Sequence, residues 1–292
     1  MIIWFLFALG SAVSQSLYQA ATNYSSSVGK FSKFVVIFWA ALISSVILFS
    51  ASYFIGFPTI QNGFWQTVFI TAVLNFIAAP LMLKGYELGD FSSVYSMFLL
   101  SPVFTLLTGF IFVGEEPTFL GSLGVALTVL GLIIISRATN EKGEWRFNRG
   151  ILLGMLVALI FSVSATFDKL SVLRADPFLA GAAIWGTVVA LNGIYLLFAK
   201  SKEERNDSNV GISFQPIGYL VLIGSGIILG LNSIVYNFAL SMGFVSHTIA
   251  IKRLGVLFGV IWAWLFFREK NISKKLLGAG VAIAGVILIL FS

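Results

Sequence analysis

The sequence predicts an all-α membrane protein of ten transmembrane helices, built as two inverted five-helix repeats. Three observations carry this. Hydrophobic residues make up 58% of the chain and charged residues only 10%; apolar runs of roughly 20 residues, the length that crosses a hydrocarbon core, recur from end to end; and the two halves resemble each other in sequence. A mean hydropathy of +0.98 suits a chain solvated by lipid. The 29 Phe and 28 Gly fit the same setting, because apolar rings face acyl chains and small residues let helices approach closely. Cys is absent, which removes disulfides, thiolate chemistry and Cys-based metal sites. The net charge of +6 does not point to nucleic acid, since the cations lie in short loops between apolar runs and not on one face.

The spans follow in order. The first, near 2–22, lacks the basic stretch of a secretory signal and is followed by further spans, so it is read as retained; it carries Gln15, Tyr18 and Gln19. The second, near 34–55, holds Trp39, and the third, near 64–83, holds Asn75 and Pro80. The fourth, near 91–113, contains Tyr95 and Pro102. Each proline removes an intrahelical hydrogen bond, so a kink is expected in both spans. The fifth, near 118–136, is studded with Gly and ends at the polar connection "RATNEKGEWRFNR" (137–149). That connection divides the chain into a first repeat over 1–137, a linker over 138–149 and a second repeat over 150–292. The sixth span, near 150–170, bears the polar strip "SVSATFDKLS" (162–171) with Asp168 and Lys169. The seventh, near 178–199, carries Trp185 and leads into the polar loop "KSKEERNDSN" (200–209). The eighth, near 216–239, carries Asn232, Ser233, Tyr236 and Asn237. The ninth, near 245–267, contains Lys252 and Arg253 side by side, and the tenth runs near 274–291.

The duplication is visible residue by residue. "LFALGSAVSQSLYQ" (6–19) lies over "LVALIFSVSATFDK" (156–169) at an offset of 150. "FVGEEPTFLGSLGVALTVLGLIII" (112–135) lies over "FFREKNISKKLLGAGVAIAGVILI" (266–289) at an offset of 154, pairing Glu115 with Glu269, Gly124 with Gly278 and Gly131 with Gly285. Five spans per half force the second copy to enter from the opposite side, the inverted arrangement whose central interface holds the substrate in many carriers. The run "FIFVGEEPTFLGSLGVALTVLGLIIIS" (110–136) and its repeat "WLFFREKNISKKLLGAGVAIAGVILIL" (264–290) resemble the signature end of the EamA domain of the drug/metabolite transporter superfamily. The resemblance covers the whole chain. It implies a multi-pass carrier of small metabolites or drugs, each half an EamA unit. The chain is expected in the cell (plasma or inner) membrane, with no cofactor, as a monomer or homodimer.

Lys252 and Arg253 raise the sharpest question, because one cation near midspan costs on the order of 3 kcal/mol on insertion scales. One reading is snorkelling, with the charged ends reaching the headgroups. The other is a wet cavity and an anionic ligand, the commoner setting of intramembrane cations. Lys169 ends the polar strip of the sixth span and can join them, with a local pair to Asp168 as its alternative. The trio Lys169, Lys252 and Arg253 resembles the cations of plastidic triose-phosphate/phosphate translocators of the same superfamily, which implies an anionic substrate. Gln15, Tyr18, Gln19, Asn75, Tyr95, Asn232 and Tyr236 are candidates to complete the site, each with a helix–helix hydrogen bond as its alternative. Gly255, Gly259 and Ala263 follow Lys252 at helical spacing and form a small-residue stripe for close packing.

Other chemistry has little support in the sequence. His247 is the only histidine and has no neighbouring ligand, so neither a metal site nor a catalytic triad is expected, and no enzymatic activity is assigned. Glu115 and Glu269 are expected to cap the starts of the fifth and tenth helices. No carboxylate lies in the middle of a span, Asp168 coming nearest, which favours exchange or facilitated diffusion over proton-driven transport. The alternative function is export of amino acids or amphiphilic drugs through an aromatic pocket. The Lys and Arg residues between spans fall almost entirely after odd-numbered spans, the opposite side holding only Lys169 and Arg174. This places both termini outside, contrary to the orientation usual in the family.

Overall fold

The computed structural model describes residues 2–27, 31–104, 118–139, 148–203, 216–243 and 245–291. In chain order the helices are α1 (Ile2–Ser27), α2 (Lys33–Ile55), α3 (Phe64–Leu88), α4 (Phe91–Ser96), α5 (Phe119–Thr139), α6 (Arg149–Arg174), α7 (Pro177–Glu203), α8 (Pro216–Met242), α9 (Val245–Lys252), α10 (Gly255–Phe267) and α11 (Ile272–Leu290), with a 3-10 turn at Met97–Leu100 after α4. There is no strand among the described residues. Among the described residues, seven helical runs are long and apolar enough to cross a membrane: α1, α2, α3, α6, most of α7 and α8, and the run Thr248–Phe267. Phe91–Phe104 and Phe119–Ile135 are apolar but shorter. The protein is a multi-pass membrane protein, as the hydropathy pattern predicts.

Burial is distributed as in a lipid-solvated bundle. Ser11, Ser16, Thr22 and Asn23 are buried, whereas Phe54 and Leu197 are 85% and 75% exposed. Polar groups turn inward because lipid offers them no partner. Helix starts are fixed locally: Asn148 Oδ1 accepts from the Ile151 amide at 2.8 Å to cap α6, and Asp176 Oδ1 accepts from the Leu179 amide at 2.6 Å to cap α7, whose first residue is Pro177.

The halves interlock reciprocally. α1 packs on α8 and α3 on α6; α2 faces α7; α5 faces α11; α4 faces α10. Exchanging each span of the first half with its counterpart in the second maps this set of pairings onto itself. The duplicated chain therefore pairs across the two halves, with the remaining space between them.

Two spans are broken at equivalent points. The fourth turns 3-10 at Met97–Leu100, just ahead of Pro102, whose missing N–H cannot pair with the Phe98 carbonyl. The ninth, expected as one helix over 245–267, is instead α9 and α10, joined through short-range bonds from the Leu254 amide to the Ile251 carbonyl (3.0 Å) and from the Val256 amide to the Arg253 carbonyl (3.0 Å). Residues 251–254 correspond to 97–100 at the offset of 154. Lys252 and Arg253 thus sit where the span tightens into a short 3-10-type turn between α9 and α10. Pro80 lies within α3, which continues past it to Leu88.

Glu269 does not simply cap α11. Its Oε1 accepts from the Ser92 amide at the start of α4 (3.2 Å), its Oε2 accepts from the Ser92 hydroxyl, and Lys275, 1% exposed, donates to it at 2.7 Å. Asp90 approaches Lys275 at 3.5 Å. Burial and then the nearby Glu269 push the Asp90 carboxyl above its usual range, with Lys275 pulling it back. This cluster ties the fourth and tenth spans, one from each half. Glu115, its counterpart, lies outside the described residues, as does most of the 138–149 linker. Glu269→Gln should keep an acceptor for the Ser92 amide but lose the charge facing Lys275. An expected cost of about 1.5–3 kcal/mol would show as a lower melting temperature of the detergent-purified protein.

Candidate functional site

Between the halves lies a cavity with about 110 Å³ for the centres of water-sized molecules. Its wall takes Gln15, Tyr18, Gln19 and Thr22 from α1, Asn75 from α3, Asp168 from α6, Trp185 from α7, Asn232, Ser233 and Tyr236 from α8, and Lys252 and Arg253 at the α9–α10 break. Phe98 from the 3-10 turn and Phe161 from α6 supply apolar surface. Of the sequence candidates, Gln15, Tyr18, Gln19, Asn75, Asn232, Tyr236, Lys252 and Arg253 are brought together here.

Lys169 and Tyr95 stand elsewhere. Lys169 Nζ donates to the Leu240 carbonyl and, at 2.8 Å, to the Gly243 carbonyl, closing the last turn of α8 with a positive charge where the helix leaves carbonyls unpaired. Tyr95 is buried against the small-residue stripe of α10. A methyl group added at Gly259 would strike its ring, and one at Gly255 would meet both the Ala12 carbonyl and the Tyr95 hydroxyl. The stripe at Gly255, Gly259 and Ala263 therefore seats a ring and a neighbouring backbone.

The polar wall is largely prearranged. Asn232 Nδ2 donates to Gln15 Oε1 (3.0 Å) while its Oδ1 accepts from Ser14 Oγ (3.1 Å). Tyr86 OH donates to Gln19 Oε1 (2.9 Å), and Trp185 Nε1 donates to Ser233 Oγ (2.7 Å). Asn75 Nδ2 donates to the Thr71 carbonyl one turn back (3.0 Å). These bonds fix the amide orientations, so the rim is stiff and the remaining freedom lies with the charges.

The three charged groups are arranged unequally. Lys252 Nζ lies 3.5 Å from the centroid of the Tyr236 ring, a close cation–π contact. Tyr236 OH donates to Asp168 Oδ2 at 3.3 Å. Lys252 and Asp168 sense each other's charge, yet they do not close to an ion pair within 4.0 Å. Arg253 is 7% exposed, its guanidinium carbon is 5.5 Å from the Phe98 ring, and its Nε has no hydrogen-bond partner among the described residues. A guanidinium in the cavity wall whose Nε has no acceptor among the described residues leaves hydrogen-bonding capacity unused.

Asp168 is the wall residue that sequence reasoning passed over as a span-end charge. A signal was present: Phe161, Ser164, Ala165 and Asp168 all line the cavity, and their spacing is one helical face. At the offset of 150 the counterpart of Asp168 is Tyr18, itself in the wall, whereas the counterpart of Lys169 is Gln19. The repeat correctly marks the positions, but Lys169 is long enough to turn away to the α8 carbonyls.

The geometry agrees with what comparison to known proteins finds. A solved structure titled only "Crystal structure of protein" superposes with a TM-score of 0.67 over 98% of this chain and 95% of its own, at 13% identity, which shows a shared fold. No curated protein matches the sequence. The EamA-like transporter family matches twice, over residues 2–137 and again over residues 148–291, so each half carries its own copy. With both matches spanning nearly the whole of a multi-pass helical chain, the protein belongs to the EamA-like transporter family.

Proposed function

We propose that this transporter moves a small anionic metabolite, phosphorylated or carboxylated, by alternating access of two inverted five-span halves around the central cavity. The observation that carries the reading is Arg253, buried in the cavity wall with no acceptor for its Nε and no carboxylate within 4.0 Å among the described residues. Snorkelling does not account for a guanidinium that is 7% exposed in the wall of an interior cavity. The Lys252–Arg253 pair supports an anion on its own, without the third cation of the triose-phosphate-translocator pattern. Breaks in the fourth and ninth spans at equivalent points support a hinge in each half, since irregular backbone within a membrane is tolerated where it lines a cavity.

A second reading, export of zwitterionic amino acids or amphiphilic compounds, is favoured by the ring-lined wall and by Asp168, which could receive an ammonium group. Uptake into proteoliposomes separates the two. Phosphorylated and carboxylated solutes should be accumulated, and preference for zwitterions or cations over every anion would overturn the primary reading.

We place the protein in the plasma or inner membrane with ten spans and both termini outside, on the distribution of Lys and Arg between the loops. A tag following Ser292 should then be labelled on intact cells. Labelling only after permeabilisation would reverse the orientation.

A further inference from the structure

Asp168 has no role in a cavity that merely attracts anions. A carboxylate there repels the ligand that Lys252 and Arg253 attract. It is not a structural ion-pair partner either, because neither cation closes on it, and the adjacent Lys169 is engaged on the α8 carbonyls. Tyr236 holds the two charges apart: its ring carries Lys252 at 3.5 Å and its hydroxyl reaches Asp168 at 3.3 Å. Asp168 is thus an anion already inside the site, facing the same cations that a substrate must face.

We infer that Asp168 is an internal counter-anion that substrate binding neutralises, so that each monoanion enters together with one proton, taken from water and held on the Asp168 carboxyl. The inference rests on the anion-carrier reading above. With Lys252 and Arg253 charged and Asp168 ionised, the empty site has a net charge of +1; with a monoanion bound and Asp168 protonated, it is again +1. The site charge crossing the membrane is the same loaded and empty, and net movement is electroneutral proton–anion symport. The titratable and charged groups that share the wall with Asp168 are Tyr18 from α1, Tyr236 from α8, and Lys252 and Arg253 at the turn in the ninth span; α3 brings Thr71 and Asn75 with apolar residues, and α7 brings Gly181, Ile184 and Trp185, none of which titrates. Tyr95, beside Arg253, faces the α10 stripe and not Asp168. The expectation of exchange without protons rested on no carboxylate lying in the middle of a span, and it gave no weight to Asp168 near the end of the sixth span, which lines the cavity.

Methanesulfonate is a suitable probe, being a permanent monoanion from about pH 5 to pH 8, where His and perturbed carboxylates titrate. Its binding to the purified carrier, followed by calorimetry in two buffers of different ionisation enthalpy, should show net proton uptake and should tighten as the pH falls, because the bound state holds more protons. Asp168→Asn keeps an acceptor for Tyr236 and removes the charge. It should bind methanesulfonate about five- to tenfold more tightly, with no proton uptake and no such pH dependence. Binding that needs Arg253 but shows no proton uptake and is unchanged in Asp168→Asn would overturn this inference and leave the anion carrier standing. Absence of any methanesulfonate binding at every pH would remove both. Tighter binding of zwitterionic phenylalanine, lost in Asp168→Asn, would make Asp168 a receptor for ammonium groups and overturn the inference in favour of the exporter.

Discussion

Arg253→Ala should weaken binding of the transported anion roughly ten- to hundredfold, the loss of one charge-assisted contact of about 1.5–3 kcal/mol. The guanidinium lies in the cavity wall, and among the described residues its Nε has no acceptor and no carboxylate within 4.0 Å would be left unpaired by its removal. The deletion therefore acts on the ligand and should leave the fold close to unchanged. Arg253→Lys should recover only part of the affinity, because the planar fork that meets an oxyanion with two parallel bonds is lost. A role in membrane anchoring gives the opposite pattern: Lys would serve as well as Arg, and Ala would lower abundance without altering affinity per folded molecule. Binding or counterflow on purified variants matched for melting temperature distinguishes them. Normal affinity in Arg253→Ala would sink the anion site.

The membrane class, the repeat and most of the cavity wall are legible in the sequence because each follows from a local or periodic pattern. Hydropathy marks the helices, and the polar residues of α1 and α8 stand out because lipid-facing positions exclude them. Gln15, Tyr18, Gln19, Asn232 and Tyr236 are found in this way and all line the cavity. What escapes the sequence depends on reach and on pairing across the halves. Lys169 and Asp168 are adjacent, and only the course of their side chains decides that one closes the end of α8 and the other faces the cavity. Glu269 follows a span as a cap would, but the amide it accepts from is that of Ser92 in α4, 177 residues away in the chain. The break at Lys252–Arg253 has no proline to announce it, unlike its counterpart ahead of Pro102. It is visible only once the two spans are compared at their common offset.

The largest effect on stability is expected at the seam between α5 and α11, where the duplicated glycines meet. A Cβ on Gly131 would come within 3.0 Å of the backbone at Gly278 and Ala282, and one on Gly285 would come as close to Gly124 and Thr128. At the offset of 154, Gly131 corresponds to Gly285 and Gly124 to Gly278, so the two contacts are one contact made twice by the repeat. The obstruction at both is backbone, which cannot rotate aside as a side chain can. Thr128 Oγ1 bonds the Gly124 carbonyl one turn back in its own helix at 2.9 Å and also reaches the Ala282 carbonyl across the seam at 3.4 Å, a contact available only while the helices stay this close. Gly131→Leu should separate the pair and cost at least about 3 kcal/mol, above the common range for overpacking because neither partner can yield. Gly280, on the other face of α11, has nothing within 4 Å of its Cβ position. Gly280→Leu should therefore be tolerated, and on the lipid side it replaces a poor helix former with a good one. Thermal unfolding of the two variants, followed by size-exclusion chromatography in detergent, should show Gly131→Leu aggregated or melting well below the parent and Gly280→Leu at or above it. Equal behaviour of the two would mean that apolar bulk on either helix face, and not the glycine seam, limits the fold.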